Sequence, residues 1–235
     1  EGGRLEPFGA DSILLIDAAA RAILAEIGMS EPPQSVVGLV TSAGGTLTEA
    51  GRLLFPAELL DRALAGIGRE VALCGRRPDL DLRLTGQRVH VGTGGASPQM
   101  VDLDTGAYRP STLADLYDAA RVMDVLDNVH FFAGPVVARD MDTDLLLDIN
   151  PAYAALSGTA KHVVVSASSP EAVRAIAEIC FTLAGSAEVF HARPFLSLTI
   201  NHVVPPLRFS EEACAVMIEA ARLGIPMQGN TFGQL

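Results

Sequence analysis

The residues of this chain best placed to do chemistry stand where apolar runs stop: Phe132, Asn201, His202 and Gln228. Asn201 and His202 follow Leu196-Ser197-Leu198-Thr199-Ile200, and Gln228 closes Ile225-Pro226-Met227-Gln228. An amide or imidazole at the end of a buried strand must find a partner, which is either a ligand or a neighbouring loop. Phe131 and Phe132 are adjacent on a strand, so only one of them can face a given side; the alternative is that both fill the core. Gly92-Thr93-Gly94-Gly95 follows Arg88-Val89-His90-Val91 and gives a tight turn or a close backbone approach. It is neither a dinucleotide fingerprint nor a phosphate loop, and no helix follows it at once.

Four apolar runs position these residues: 129–133, 162–166, 196–200 and 225–228. They start about 30 residues apart, the pace of a repeated βα unit. Between them, apolar residues step by three and four, as on one face of a helix. Val173, Ile176, Ala177, Cys180, Leu183 and Ala184 form the clearest stripe, with Ser169 as N-cap and Pro170 at the first helical position. A second stripe runs through Ala213, Val216, Met217, Ala220 and Leu223, capped by Ser210, acidic at Glu211 and Glu212, and stopped by Gly224. Residues 142–156 predict a helix that Pro151 interrupts, with Asn150 capping its second half. Thr112 and Asp115 stand in capping-box spacing ahead of Leu113, Leu116, Tyr117, Ala120 and Met123, the predicted buried stripe. Near-continuous apolar strands alternating with helices imply a parallel sheet covered on both faces.

The first third is α-rich. Residues 11–27 predict an amphipathic helix ended by Gly28, 33–43 a shorter one, and 56–67 a third with Leu59, Leu60, Ala63 and Leu64 facing inward. Thr46-Leu47-Thr48, Val71–Cys74, Leu80–Leu84 and Arg88–Val91 are short strand candidates, the last being the first strand of the parallel sheet. Asp102-Leu103-Asp104-Thr105-Gly106 and Arg109-Pro110 then read as a charged, solvated loop. The expected division is an α-rich segment with short strands over 1–86 and a sheet domain over 87–235. That second part holds five strands and four helices, whereas a closed eight-stranded barrel needs about 250 residues.

With 28 acidic residues against 17 basic ones the net charge is −11, which excludes a nucleic-acid or anionic-membrane surface that needs a positive field. The mean hydropathy is high at +0.31, yet no apolar run approaches a membrane span. Cys74, Cys180 and Cys214 have neither disulfide nor zinc spacing, and His130, His162 and His202 show no paired spacing, so no metal is expected. Buried thiols in a reducing cytoplasm are the expectation. Lys161 and His162 precede their strand, where barrel residues serve stability.

Particular residues carry a family resemblance along nearly the whole chain: Gly2-Gly3, Ala25-Glu26-Ile27-Gly28, Val101-Asp102-Leu103-Asp104-Thr105-Gly106, Arg109-Pro110-Ser111-Thr112, Asp115-Leu116 and Gly158-Thr159-Ala160-Lys161-His162. Together they resemble the trimethylamine methyltransferase family. The resemblance implies a (β/α)8 TIM-type barrel of which only about the first five strands are present. It implies methyl transfer from trimethylamine or a related quaternary amine, such as glycine betaine, to the cobalt of a corrinoid carried by a partner protein. A homo-oligomer is expected, and the catalytic residue, pyrrolysine in some members, is expected beyond Leu235. A quaternary ammonium is recognised by aromatic faces and polar groups, and barrel sites lie at the carboxyl ends of strands. Phe132, Asn201, His202 and Gln228 are accordingly the substrate candidates and Thr93 and Gly94 the corrinoid-side candidates. The rival reading is an open doubly wound domain of five strands that binds a small molecule without catalysis.

Overall fold

The computed structural model describes residues 6–68 and 70–230. Gly2-Gly3 of the resemblance lie outside the described residues. The chain divides into two compact units, one of 6–68, 201–214 and 230, the other of 70–200 and 215–229.

The first unit opens with α1, Ala10–Ala22, which runs on into one π turn, Ile23–Ile27. Gly28 ends it at φ +65°, where a side chain would collide with the Leu53 carbonyl. Glycine alone fits that approach. Arg52 satisfies the carbonyls left at this terminus, donating to Ile27 O at 2.6 Å and to Gly28 O at 2.7 Å. Then follow α2, Gln34–Ser42; β1, Thr46–Leu47, paired with β2, Leu53–Leu54; and α3, Ala57–Ala65. Ala63 and Leu64 of α3 are exposed, so the inward face predicted for this helix is limited to the half-buried Leu59 and Leu60.

The second unit begins with an antiparallel pair, β3, Val71–Leu73, and β4, Leu82–Leu84. A second hairpin, β5, Gln99–Val101, with β6, Tyr108–Pro110, replaces the loop expected there. Its turn is held by Asp102, whose Oδ1 accepts from Thr105 N and Thr105 Oγ1 at 3.0 and 2.9 Å, a local bond network that strand propensity does not report. Next come α4, Leu113–Asp124; β7, Phe131–Ala133; α5, Asp144–Gly158; β8, His162–Val165; α6, Pro170–Ala184; a short α7, Ala187–Ala192; and β9, Leu196–Ile200. The hairpin of β10, Val203–Val204, and β11, Arg208–Phe209, belongs to the first unit. Helix α8, Glu211–Arg222, leads to β12, Met227–Gly229.

Strands β7, β8, β9 and β12 form one parallel sheet in the order β12-β9-β8-β7. The expected strand over 88–91 is absent. The chain there makes one parallel bridge, Gly92 to Phe131, and Thr93 takes over the pairing: its Oγ1 donates to Ala133 O at 2.6 Å and accepts from Ala133 N at 2.9 Å. The hydroxyl adds to two backbone bonds, His130 N to Val91 O at 2.6 Å and Thr93 N to Phe131 O at 3.4 Å, which hold this segment beside β7, and the sheet has four strands. Helix α5 runs unbroken through Pro151, and Asn150 reaches back to Met141 Sδ at 3.1 Å instead of capping a second half. Thr143 is the N-cap, accepting from Leu146 N at 3.2 Å. Of the predicted α6 stripe Val173, Ile176, Ala177 and Cys180 are buried, while Leu183 is exposed and Ala184 half-buried as the helix ends; Tyr117 of α4 likewise lies exposed beside the buried Leu116 and Ala120. Among the described residues no helix is long and apolar enough to cross a membrane.

Candidate functional site

In a parallel sheet, residues in register share a face and successive residues alternate faces. The pairs Phe132 with Val163, Val163 with Leu196, and Val165 with Leu198 define one face; it is apolar, buried at Phe132, Val163, Leu196 and Leu198 and half-buried at Val165. The other face carries His162, Ser197, Thr199 and Gln228. Its polar groups are joined in a row. His162 Nδ1 lies 3.0 Å from the Cys74 carbonyl, His162 Nε2 lies 2.9 Å from Ser197 Oγ, and Gln228 Nε2 donates to Ser197 Oγ at 3.1 Å.

The row climbs the sheet. Ser197 pairs with Val164, two residues beyond His162, and Gln228 pairs with Thr199, two beyond Ser197. It therefore runs diagonally from the amino end of β8 to the carboxyl half of β12. His162 and Ser197 are each 1% exposed, and Gln228 is half-buried. Burial lowers the imidazole pKa, while the bond to Cys74 opposes that only in part, so the ring is neutral at physiological pH. A neutral ring facing a carbonyl through Nδ1 carries its hydrogen there and accepts through Nε2.

Gln228 is the one sequence candidate that this row includes. Phe132 is 0% exposed and on the opposite face of the sheet, so it is a core side chain and does not share a cavity wall with Gln228. Thr93 spends its hydroxyl on Ala133, and Gly94 has nothing within 4 Å of the position a Cβ would take. Gly92 supplies the close approach, since a Cβ there would enter the Phe131 ring. Asn201 and His202 belong to the first unit. Asn201 is exposed; His202 is half-buried with Nδ1 enclosed and without a hydrogen-bond partner, and its burial lowers its pKa. An enclosed ring nitrogen without a partner carries a desolvation cost, so a hydrogen-bonding ligand there would be favoured.

Ser197 and His162 are the positions that sequence reasoning missed. The signal was present in β9, where Ser197 and Thr199 alternate with Leu196, Leu198 and Ile200, a polar face inside a run that looks continuously apolar.

The segment Gly158-Thr159-Ala160-Lys161 ties the amino end of the sheet together. Lys161 Nζ donates to the carbonyls of Met123, Leu126 and Val129 at 2.6, 2.8 and 2.6 Å, closing the carboxyl end of α4. Asp124 accepts from Thr159 Oγ1 at 2.7 Å and from Ala160 N at 2.8 Å. A Cβ on Gly158 would lie 2.6 Å from that of Ala120, so α4 and α5 meet across this glycine. The Asp102–Asp115 segment is likewise occupied with structure. Arg109 pairs with Asp115 through two bonds of 2.7 Å, and Asp115 completes a capping box with Thr112. The buried Ser111 hydroxyl is 2.7 Å from Val137 O and 3.1 Å from Ser97 O. The charged loop is therefore a clamp rather than a solvated rim.

Among the described residues no group of three His, Cys, Asp or Glu side chains is placed to hold a metal ion. The three cysteines are buried thiols, with burial raising Cys74 and Cys214 and pushing Cys180 up to about 12. None is a ready thiolate nucleophile.

The described residues thus combine a four-stranded parallel sheet, helices between its strands and a polar row on one face, a mixed α/β architecture. The chain matches the family model described as Trimethylamine methyltransferase (MTTB) over residues 2–234, and it belongs to that family. It is similar to the trimethylamine methyltransferase of Desulfitobacterium hafniense, 24% identical over 234 residues that make up 99% of this chain and 47% of that protein. A trimethylamine methyltransferase of Methanosarcina mazei is 26% identical over 233 residues, 96% of this chain and 46% of the relative. The glycine betaine methyltransferase of Desulfitobacterium hafniense is 23% identical over 214 residues, 91% and 44% respectively. The chain spans about half the length of the curated relatives it matches.

Proposed function

We propose that this chain is the front part of a (β/α)8 barrel enzyme that moves a methyl group from trimethylamine or a related quaternary amine, such as glycine betaine, to the cobalt of a corrinoid carried by a partner protein. The observation that carries this reading is the family match along residues 2–234. In this division, 1–86 is the α-rich segment and 87–235 contributes the barrel strands. The pairing order β12-β9-β8-β7 supports it, because consecutive parallel neighbours joined by helices are what a barrel requires.

The reaction breaks a C–N bond, with its electron pair retained by nitrogen, and forms a C–Co bond with the electron pair of Co(I). The donor is a quaternary ammonium or protonated trimethylamine, so the leaving group is a neutral amine. The corrinoid is the methyl acceptor and a substrate. Gly94, with open space above it, supports an approach free of bulky side chains near the carboxyl end of β7. Gln228 is the proposed donor contact of the second unit; Asn201 and His202 are, separately, the proposed polar contacts of the first. The row beneath Gln228 is neutral, which leaves the cation without a fixed counter-charge that would hold it in the ground state. A homo-oligomer belongs to the same proposal and is checked by light scattering of the purified protein.

The test uses the longest natural form of the protein with Co(I) cobalamin under oxygen-free, reducing conditions. Conversion of the visible spectrum to that of methyl-Co(III) on adding trimethylamine or glycine betaine is the expected result. No conversion with either donor, also in the presence of the native corrinoid protein, moves the assignment to a binding domain without catalysis.

A further inference from the structure

The direction of the Gln228 amide is decided by a group far from it in sequence. Amide nitrogen and oxygen are told apart by their hydrogen-bond partners, so the row has to be read from an end whose polarity is fixed. That end is the Cys74 carbonyl, which can only accept. It requires a hydrogen on His162 Nδ1, and a neutral imidazole then accepts at Nε2. Ser197 is the group at 2.9 Å from Nε2, so its hydroxyl hydrogen points to His162. Its oxygen is left to accept, and the group that reaches it is the Gln228 NH2 at 3.1 Å. The Gln228 carbonyl is therefore the arm turned away from Ser197. Each bond leaves the next group only one role to play.

We propose that Cys74 O, His162 and Ser197 form a one-way hydrogen-bond relay that holds the Gln228 carbonyl oxygen toward the ligand, making it the acceptor dipole for a methylated ammonium ion. The inference rests on the methyl-transfer reading for the identity of the ligand and names the residues that orient the contact. His162 and Ser197 are positioning residues: neither touches the donor, and both act through Gln228. The relay is suited to a cation of low charge density, whose methyl hydrogens carry the positive charge and meet a carbonyl oxygen without forming a salt bridge. It also explains a buried histidine beside a buried serine with no acid and no nucleophilic role. The hydroxyl hydrogen of Ser197 is committed to His162, and its lone pair is occupied by an amide.

Two measurements on the full-length natural protein test it, and neither needs turnover. In nitrogen-15 NMR of histidine-labelled wild type at neutral pH, His162 is expected as the Nδ1-protonated neutral tautomer. An Nε2-protonated ring or an imidazolium reverses the relay and overturns the proposal. In calorimetry with tetramethylammonium as the probe, Ser197→Ala is expected to weaken binding roughly tenfold, about 1.4 kcal/mol. Ser197→Thr, which keeps a donor and an acceptor, is expected to restore binding to within about threefold of wild type, about 0.7 kcal/mol. Equal binding by wild type and Ser197→Ala, or no binding by wild type, overturns the proposal. His162→Phe is a second variant that removes the acceptor without emptying the space. It frees the Ser197 hydroxyl to donate to Gln228 and is expected to weaken binding as much as Ser197→Ala does. Tetramethylammonium binding that responds to these variants, together with failure of methyl transfer to Co(I) cobalamin and to the native corrinoid protein, would sink the catalytic reading alone and leave the relay standing.

Discussion

The two ends of the parallel sheet are built differently. At the amino end Lys161 is spent on three carbonyls, Asp124 on Thr159 and Ala160, and Arg193 on Asp81 at 2.7 Å. Arg76 adds bonds from its backbone to Ala160 O at 2.8 Å and from its side chain to Thr159 O at 3.0 Å. At the carboxyl end the sheet offers Gln228 with one arm of its amide engaged and Gly94 with open space above it. Fully satisfied networks rigidify, whereas half-satisfied groups are available to a ligand. The contrast is what the proposed barrel reading calls for, an anchored amino end and a ligand at the carboxyl end.

Substitutions separate the two roles. The largest loss is expected for Lys161→Met, which keeps the stem of a side chain only 5% exposed but orphans three carbonyls; urea unfolding should show a loss of about 3 kcal/mol. A change below about 1 kcal/mol would mean that water or the backbone replaces those bonds and that the amino end is not the anchor. Gly158→Val drives a side chain into Ala120 and the Tyr117 carbonyl, and thermal unfolding should register about 2 kcal/mol of overpacking. Thr93→Val strips Ala133 N and O of their partner and should cost about 1.5 kcal/mol by the same assay.

Asp115 tests the clamp on the carboxyl side. The Arg109 guanidinium, aided by the Thr112 bonds and opposed by desolvation, holds its carboxyl well below the usual carboxylate range. The folded state therefore releases this proton more readily than the unfolded chain does. The stabilisation is present above the unfolded value of about 3.9 and is lost as the pH falls below it toward the folded value. Asp115→Asn should cost about 1 kcal/mol near neutral pH, and the gap to wild type should close in acid unfolding below about pH 4. The smallest effect on stability, within about 0.5 kcal/mol, is expected for Gln228→Met. The same change should raise the KM for the amine roughly tenfold in the Co(I) cobalamin assay, with kcat within about twofold. An unchanged KM would remove Gln228 from the site and with it the contrast between the two ends.

Much of this architecture is legible in residue order. Strand β9 begins and ends where the apolar run does, and Ser169 caps α6 by accepting from Ala172 N at 3.2 Å, as its place before Pro170 implies. Strand-like residues at 88–91 misled, because Val89 and Val91 are exposed and the pairing with β7 falls later, on Val91 to Thr93. Hairpins with strands of two or three residues, β5–β6 and β10–β11, were invisible because so few residues carry no periodicity. The candidate site was half legible. Gln228 was marked by its place at a strand end, whereas its partners emerged only once register placed three strands side by side.

Two helices show where sequence stops. The α1 and α6 segments both repeat apolar residues at helical spacing, and both are helices. In α6, Val173, Ile176, Ala177 and Cys180 are buried; in α1 no residue is, with Ile13 57% and Leu15 72% exposed. Helical spacing and the Thr112 and Ser169 caps are local, set by side-chain spacing and by bonds spanning three or four residues, so the sequence by itself determined them. Which apolar face is covered, and which hydroxyl meets which imidazole, depends on segments brought together across 35 and 88 residues, as in Ser197 with His162 and His162 with Cys74. Only the tertiary structure decided those, because the energy of a buried contact belongs to the pair and is written in neither residue alone.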